Sequence, residues 1–317
     1  GYYGGAVYAD SGSSVSISGA NVSDNQGYAG GAVYLARASS LVVDACTMDG
    51  NAAYYGGAIA GWDDATVAIT DSNISSNSAY YSGGGLHMND TFTLALTDTI
   101  LLENTSTYGS GGGLYAATDG AVAISGATLQ GNTAYYYGGG AYAESLSSAL
   151  TIDDSTLLEN VATYRSGGGL YVQSSDLTMG SVSLQDNQTG YYGGALGVYG
   201  TGAVSISDAT IDGNTATYSG GALWAQYLYG SVVIDGSSFD ANSSTRGNGG
   251  ALSASYYSDL QISDTSFDGN SAYYDGGAVY QYYYGDVAID GSSFDGNTTT
   301  YGDGGGLYFD AYSGWAD

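Results

Sequence analysis

The chain has 317 residues, with 54 glycines, no proline, 3 Lys plus Arg against 31 Asp plus Glu, and a net charge of −28. Such a surface makes nucleic acid and anionic membrane poor partners, and neither nucleic-acid binding nor membrane insertion is expected. One cysteine, Cys46, excludes an intrachain disulfide, and one histidine, His87, argues against a His-ligated metal centre or a Ser-His-Asp triad.

A fixed period organises everything else. Asn recurs at Asn25, Asn51, Asn77, Asn104, Asn132, Asn160, Asn187, Asn214, Asn242, Asn270 and Asn297, in steps of 26 to 28 residues. Each step reads as one coil of a solenoid. A coil opens on two glycines, a small residue and an apolar one, as in Gly4-Gly5-Ala6-Val7 and Gly56-Gly57-Ala58-Ile59. Glycine permits the tight corner and the close backbone approach that begin the first strand.

A second strand follows, with apolar residues in alternation (Val15 and Ile17, Val67 and Ile69, Leu94 and Leu96), the period-two signature of one buried face. Five residues on comes the apolar residue of a third strand (Val22, Met48, Ile74, Leu101, Leu129, Leu157, Leu184, Ile211, Phe239, Phe267, Phe294), three before the repeated Asn. The fold expected is all-β: one continuous right-handed parallel β-helix over residues 1–317, with about 11 to 12 coils and three short strands in each. At roughly 4.8 Å per coil the rod is on the order of 55 Å long. Each coil adds about four large apolar side chains to a central column, each contributing roughly 1.5 to 3 kcal/mol on full burial. Leucine-rich repeats would need a leucine-spaced consensus, and calcium-binding rolls a nine-residue period; neither is present. The chain starts within a turn and stops just past a first strand, with no polar cap, and is expected to be a fragment or protomer of a longer assembly.

The repeated Asn suits a structural ladder, its amide bonding to the counterpart one coil up and one coil down. Cys46 shares its slot with Ala20, Ser72, Thr99, Ala127 and Ser155 and reads as a small packing residue. Asp at many turns reads as turn chemistry and solubility, and calcium between adjacent Asp-bearing turns is the one cofactor this pattern would admit. Sequons at Asn104, Asn187, Asn242 and Asn297 fall on ladder positions, which leaves Asn21, Asn73 and Asn89 as candidate glycan acceptors.

Two aromatic stripes stand out. The residue after the first-strand apolar position is Tyr8, Tyr34, Tyr115, Tyr142, Tyr171, Trp224, Tyr280 or Tyr308, with His87 in the same slot. Strand parity turns this row outward, as candidate interface aromatics. Tyrosines also fill the turn before the glycines, where coil length varies (Tyr3, Tyr28, Tyr55, Tyr81, Tyr108, Tyr136, Tyr164, Tyr192, Tyr218, Tyr274, Tyr301). Such rings either stack on each other or mark an interface. The outward strip of the second strand, including Ser16, Ala95, Thr151 and Ala288, is small, flat and uncharged.

The motifs Gly-Gly-Ala-Val/Ile/Leu (Gly30-Gly31-Ala32-Val33, Gly276-Gly277-Ala278-Val279) and Phe-x-x-Asn (Phe239 to Asn242, Phe267 to Asn270, Phe294 to Asn297) resemble the repeats of polymorphic outer-membrane proteins and related right-handed β-helix proteins. The resemblance spans the chain and implies an extracellular or cell-surface stalk, adhesin or filament component. The expected function is a structural protomer of an extracellular filament, sheath or appendage, whose partners are other copies of itself. A surface adhesin or glycan-binding passenger is the alternative. An enzyme acting on polysaccharide is disfavoured: Arg37, Arg165 and Arg246 lie far apart, and Asp63-Asp64 and Asp153-Asp154 are ordinary turns. Ice binding would need rows of Thr-x-Thr, which only Thr93 to Thr97 approaches.

Overall fold

A computed structural model describes residues 2–200 and 202–310; Gly1, Thr201 and 311–317, at or within the expected 1–317 rod, lie outside the described residues. The chain winds as a right-handed parallel β-solenoid. In one representative coil the strands are Leu114–Ala117, Ala121–Ser125, Thr128–Gln130 and Thr133–Ala134. Equivalent strands of successive coils pair in parallel, giving four sheets of 12, 11, 10 and 10 strands. The ladders keep one register throughout, apart from an irregularity between Ala79 and Ser82.

The expectation of three strands per coil is therefore corrected to four. Except at Ala52–Tyr55 and Ser78–Ser82 the fourth is only two residues long, too short for any periodicity to show in sequence. Its second residue is small and buried (Ala79, Ser106, Ala134, Ala162, Ala216, Ala272), so the backbone passes the ladder Asn and stays in register before the tyrosine turn.

Three corners per coil depend on single left-handed residues. The corner between second and third sheets holds Asp98 (φ 47°), Asp154 (49°) or Ser181 (52°), and the corner before the ladder Asn holds Glu103 (53°), Glu159 (56°) or Asp186 (51°). A left-handed residue with a Cβ costs about 1 to 2 kcal/mol, and short polar side chains adopt it most readily. Asp24, Asp71, Asp98, Asp154, Asp186, Asp208 and Asp264 occupy these corners, which accounts for part of the Asp. At the third corner glycine is required twice over. Gly138 has φ 63°, and a Cβ on Gly139 would lie 2.5 Å from the Val161 nitrogen of the next coil.

Inside, one continuous apolar column runs along the rod. Its rings stack directly: Phe239 on Phe267 at 4.9 Å and Phe267 on Phe294 at 4.8 Å. Beside it lies the Asn ladder. Asn160 Oδ1 accepts from the backbone N–H of Asn132 at 3.0 Å and from Asn132 Nδ2 at 3.0 Å. Asn160 Nδ2 donates to Asn187 Oδ1 at 3.0 Å and back to the Leu129 carbonyl at 2.8 Å. The amide is thereby fully used at zero exposure. The pattern repeats from Asn25 to Asn297, with Asn51 through Asn270 fully buried and the two outermost half-buried.

A second polar ladder, which sequence reading missed, occupies the slot of Cys46. Ser72 Oγ accepts from the Cys46 N–H at 3.0 Å, and Ser155 Oγ from the Ala127 N–H at 3.1 Å. Cys46 itself is buried and unbonded to another sulfur.

Candidate functional site

The first sheet sets the outward row. Its register stacks Tyr8, Tyr34, Ala60, His87, Tyr115, Tyr142, Tyr171, Gly197, Trp224, Ser253, Tyr280 and Tyr308, one per coil. Parity turns these side chains away from the apolar column, yet they are not a free surface. His87, Tyr142, Tyr171 and Trp224 are buried, Tyr34, Tyr115, Tyr280 and Tyr308 half-buried, and among these eight candidates and His87 only Tyr8 is exposed.

Stacking and overlap explain the difference. Neighbouring rings lie nearly parallel, His87 on Tyr115 at 4.7 Å, Tyr115 on Tyr142 at 5.1 Å and Tyr142 on Tyr171 at 5.8 Å. Turn tyrosines then fold over them: Tyr137 meets Tyr171 at 4.5 Å and Tyr192 stacks on Trp224 at 4.9 Å. Each such contact contributes about 0.5 to 1.5 kcal/mol beyond burial. The row is a second, aromatic core.

Burial shows in the chemistry of the phenols. Desolvation pushes Tyr34 and Tyr115 up to about 12, and Tyr142 further, helped by its hydroxyl donating to Glu144 Oε2 at 2.8 Å. His87 is driven the other way, to about 3, because burial among rings disfavours the imidazolium. The unfolded chain therefore binds a proton between about pH 3 and 6.5 that the folded chain does not, so this contribution to stability is intact above 6.5 and is lost as pH falls toward 3. His87→Phe, which keeps a ring in the stack, is expected to lose less stability than the parent between pH 7 and pH 4.5 in chemical denaturation. Parallel losses in the two proteins would refute this assignment.

The free aromatic surface is the turn set. Its rings touch from coil to coil: Tyr28 to Tyr54 at 5.2 Å, Tyr54 to Tyr80 at 5.4 Å, Tyr80 to Tyr108 at 4.8 Å, Tyr108 to Tyr135 at 5.8 Å, and Tyr135 to Tyr164 at 4.6 Å. Tyr28, Tyr54, Tyr80, Tyr108 and Tyr164 are 41 to 58% exposed. They form one ridge along the rod edge. Sequence reading placed Tyr55 and Tyr81 in this set but missed Tyr54 and Tyr80, the more outward member of each Tyr-Tyr pair; alternation within the pair was the available signal. It also missed a stack on another corner, Tyr227 to Tyr256 at 4.9 Å and Tyr256 to Tyr283 at 5.2 Å, visible in sequence only as tyrosine recurring at the coil period.

The outward row has no ring at Ala60, Gly197 and Ser253, and an aromatic-lined cavity lies near each of the first two. The first, about 290 Å³, is lined by Tyr34, Tyr55, Trp62, Asp63 and Asp90 among others. The second, about 250 Å³, includes Arg165, Tyr171, Gln173, Trp224 and Gln226 in its wall.

The remaining expected positions are dispersed. Asn21 is exposed and Asn73 and Asn89 half-buried, with Asn73 Oδ1 buried and without a partner. Asp63, Asp64 and Asp154 are left-handed turn residues. Arg37 pairs with Asp10, the one ion pair among the described residues, while Arg165 lies over the Tyr191 ring at 5.9 Å. Among the described residues no three His, Cys, Asp or Glu side chains converge as they would around a metal ion, and no helix is long and apolar enough to cross a membrane.

The pattern described as "Right handed beta helix region" matches residues 57–227, more than half of the chain. The Chlamydia polymorphic membrane protein repeat matches residues 264–281, the stretch carrying Phe267, Asn270 and Gly276-Gly277-Ala278-Val279. No curated protein and no solved structure matches significantly. The repeat match suggests a cell-surface or outer-membrane-associated location, and the two matches together suggest a surface-exposed, autotransporter-like passenger. With its four parallel ladders, its Asn stack and a match over more than half its length, the chain belongs to the right-handed β-helix family.

Proposed function

We propose that this chain is the structural rod of a surface-displayed assembly, in which copies pack side by side through the tyrosine ridge. The observation that supports this reading is the continuous line of touching rings from Tyr28 to Tyr164, all exposed but the half-buried Tyr135, since contiguous exposed aromatics mark interaction surfaces. The reading is non-enzymatic: it uses the stiffness and the edge of the rod and asks no bond-making of Asp63, Asp64, Asp153 or Asp154.

Charge sets the conditions. Two rods of net charge −28 repel at low ionic strength, and salt shortens that repulsion to about 3 Å at 1 M. Association is therefore expected to rise with salt, the reverse of what an ion-paired interface would do. Sedimentation velocity should show monomers at about 0.01 M NaCl and larger species at about 1 M. Replacing Tyr54, Tyr80, Tyr108 and Tyr164 by Ser should abolish the larger species while circular dichroism stays unchanged. Monomers at both salt concentrations, or association that the four substitutions leave untouched, would sink the proposal.

A further inference from the structure

We propose that the cavity walled by Tyr34, Tyr55 and Trp62 is a binding site for a quaternary or methylated ammonium group. This inference goes beyond lateral packing: the cavity shares Tyr28 with the end of the exposed ridge, but its other walls lie outside the ridge and it needs no second copy.

The notch lies beside a change in the outward row, where Trp62 covers the ringless position. Tyr34, Ala60 and His87 are consecutive members of the outward row, and Ala60 carries no ring to fill its place. Trp62, two residues along the same strand, takes up part of the space, 5.6 Å from Tyr34 and 4.6 Å from His87. Tyr55 approaches Trp62 at 6.0 Å with the two planes at 87°. Perpendicular rings make a corner, and Tyr34, tilted 34° to Trp62, gives a third wall. The cavity of about 290 Å³ exceeds what a trimethylammonium group occupies.

The polar groups at this notch select the sign of the ligand. Asp63 and Asp90 line it, from adjacent coils, and both are exposed. Neither has a cationic partner, since the one ion pair among the described residues is between Arg37 and Asp10. No Arg lines the cavity, and the chain contains no Lys. Ring faces present negative quadrupole and the carboxylates full charge, the combination that holds a cation with polarised C–H groups. The field of a rod of net charge −28 draws such a ligand inward. The cavity at Gly197 supplies an internal contrast: it is also aromatic but carries Arg165, so it should refuse the same ligand.

The test is isothermal titration with choline, phosphocholine and phosphatidylcholine vesicles, beside the neutral isostere 3,3-dimethylbutanol. Choline is expected to bind at least tenfold more tightly than the isostere. Phosphocholine or vesicles binding as well as choline would identify a surface headgroup as the source; choline alone would identify a free solute. Trp62→Leu should weaken choline at least tenfold, and Trp224→Leu, at the Arg165 cavity, should leave it unchanged. Should Trp62→Leu disturb folding, the paired Asp63→Asn and Asp90→Asn substitutions decide. Asn tolerates the left-handed backbone at both sites (φ 54° and 59°), so the fold should persist while binding drops severalfold and loses most of its salt dependence. Equal affinity for choline and the isostere, or choline binding indifferent to the Asp pair, would overturn the proposal.

Discussion

Replacing Asn160 by Ala is expected to cost about 3 to 6 kcal/mol, far more than the side chain's size suggests. The loss is one of hydrogen-bond partners in both neighbouring coils at once. The Asn132 N–H and Asn132 Nδ2 lose their shared acceptor, and the Leu129 carbonyl loses a donor. All lie where water does not reach, Asn132 and Asn160 having zero exposure, and each unsatisfied buried group costs roughly 1 to 3 kcal/mol. The substitution Asn160→Asp separates the two halves of the amide. It keeps the acceptor for Asn132 but sets a carboxylate against Asn187 Oδ1 and the Leu129 carbonyl, where Nδ2 donated. Burial and facing acceptors raise that carboxyl above its unfolded value of about 3.9. The variant should be most stable below that value and weaken as pH rises through the raised one. Denaturation midpoints at pH 4 and pH 7 check this, and a variant equally stable at both would show that the amide donor is dispensable.

The second large effect is expected at Gly139. A Cβ there would run into the Gly168 carbonyl and lie 2.5 Å from the Val161 nitrogen, backbone on both counts, so no side chain can move aside. Gly139→Ala should cost about 3 kcal/mol or more, above the usual range for overpacking, because relief requires two coils to separate. Gly306→Ala is the control. Its slot is filled by Ala58, Ala195 and Ala222 in other coils, a Cβ there would meet only the Phe294 Cβ at 3.8 Å, and the change should cost about 1 kcal/mol or less. Thermal melts of the two variants side by side make the comparison; similar losses would mean that coil spacing at the glycine corner is soft.

These two positions also show what was legible beforehand. Asn160 and Gly139 belong to ladders that could be read from period alone, because in a parallel stack each residue meets its counterpart one coil away. The same logic located the apolar column from Ile17 to Phe294 and the small slot of Cys46. It did not reveal the fourth sheet, whose strands of two residues, such as Thr133–Ala134, carry no alternation. Nor did it reveal the hydroxyl ladder through Ser72 and Ser155, because Ser, Thr, Ala and Cys look interchangeable as small residues until their hydrogen bonds are seen.

The aromatic edge divides the two kinds of information most sharply. Parity assigned Tyr142, Tyr171 and Trp224 to the outer side of the first sheet, and they are there; their burial depends on Tyr137 and Tyr192 folding back across the glycine corner. Tyr54 and Tyr80, unremarkable in sequence, became the exposed ridge, and the absence of a ring at Ala60 mattered only once Trp62, Tyr55 and two carboxylates were found around it.

The amino-acid sequence by itself determined the coil, its period, its register and the identity of both the apolar and the amide columns, since stacking repeats at about 4.8 Å makes neighbours of residues one period apart. The tertiary structure alone decided which rings are covered, which are free and where a cavity opens. Large side chains on the outside of a strand are not held in a packed lattice; their positions depend on what neighbouring turns place over them, and no period in the sequence encodes that.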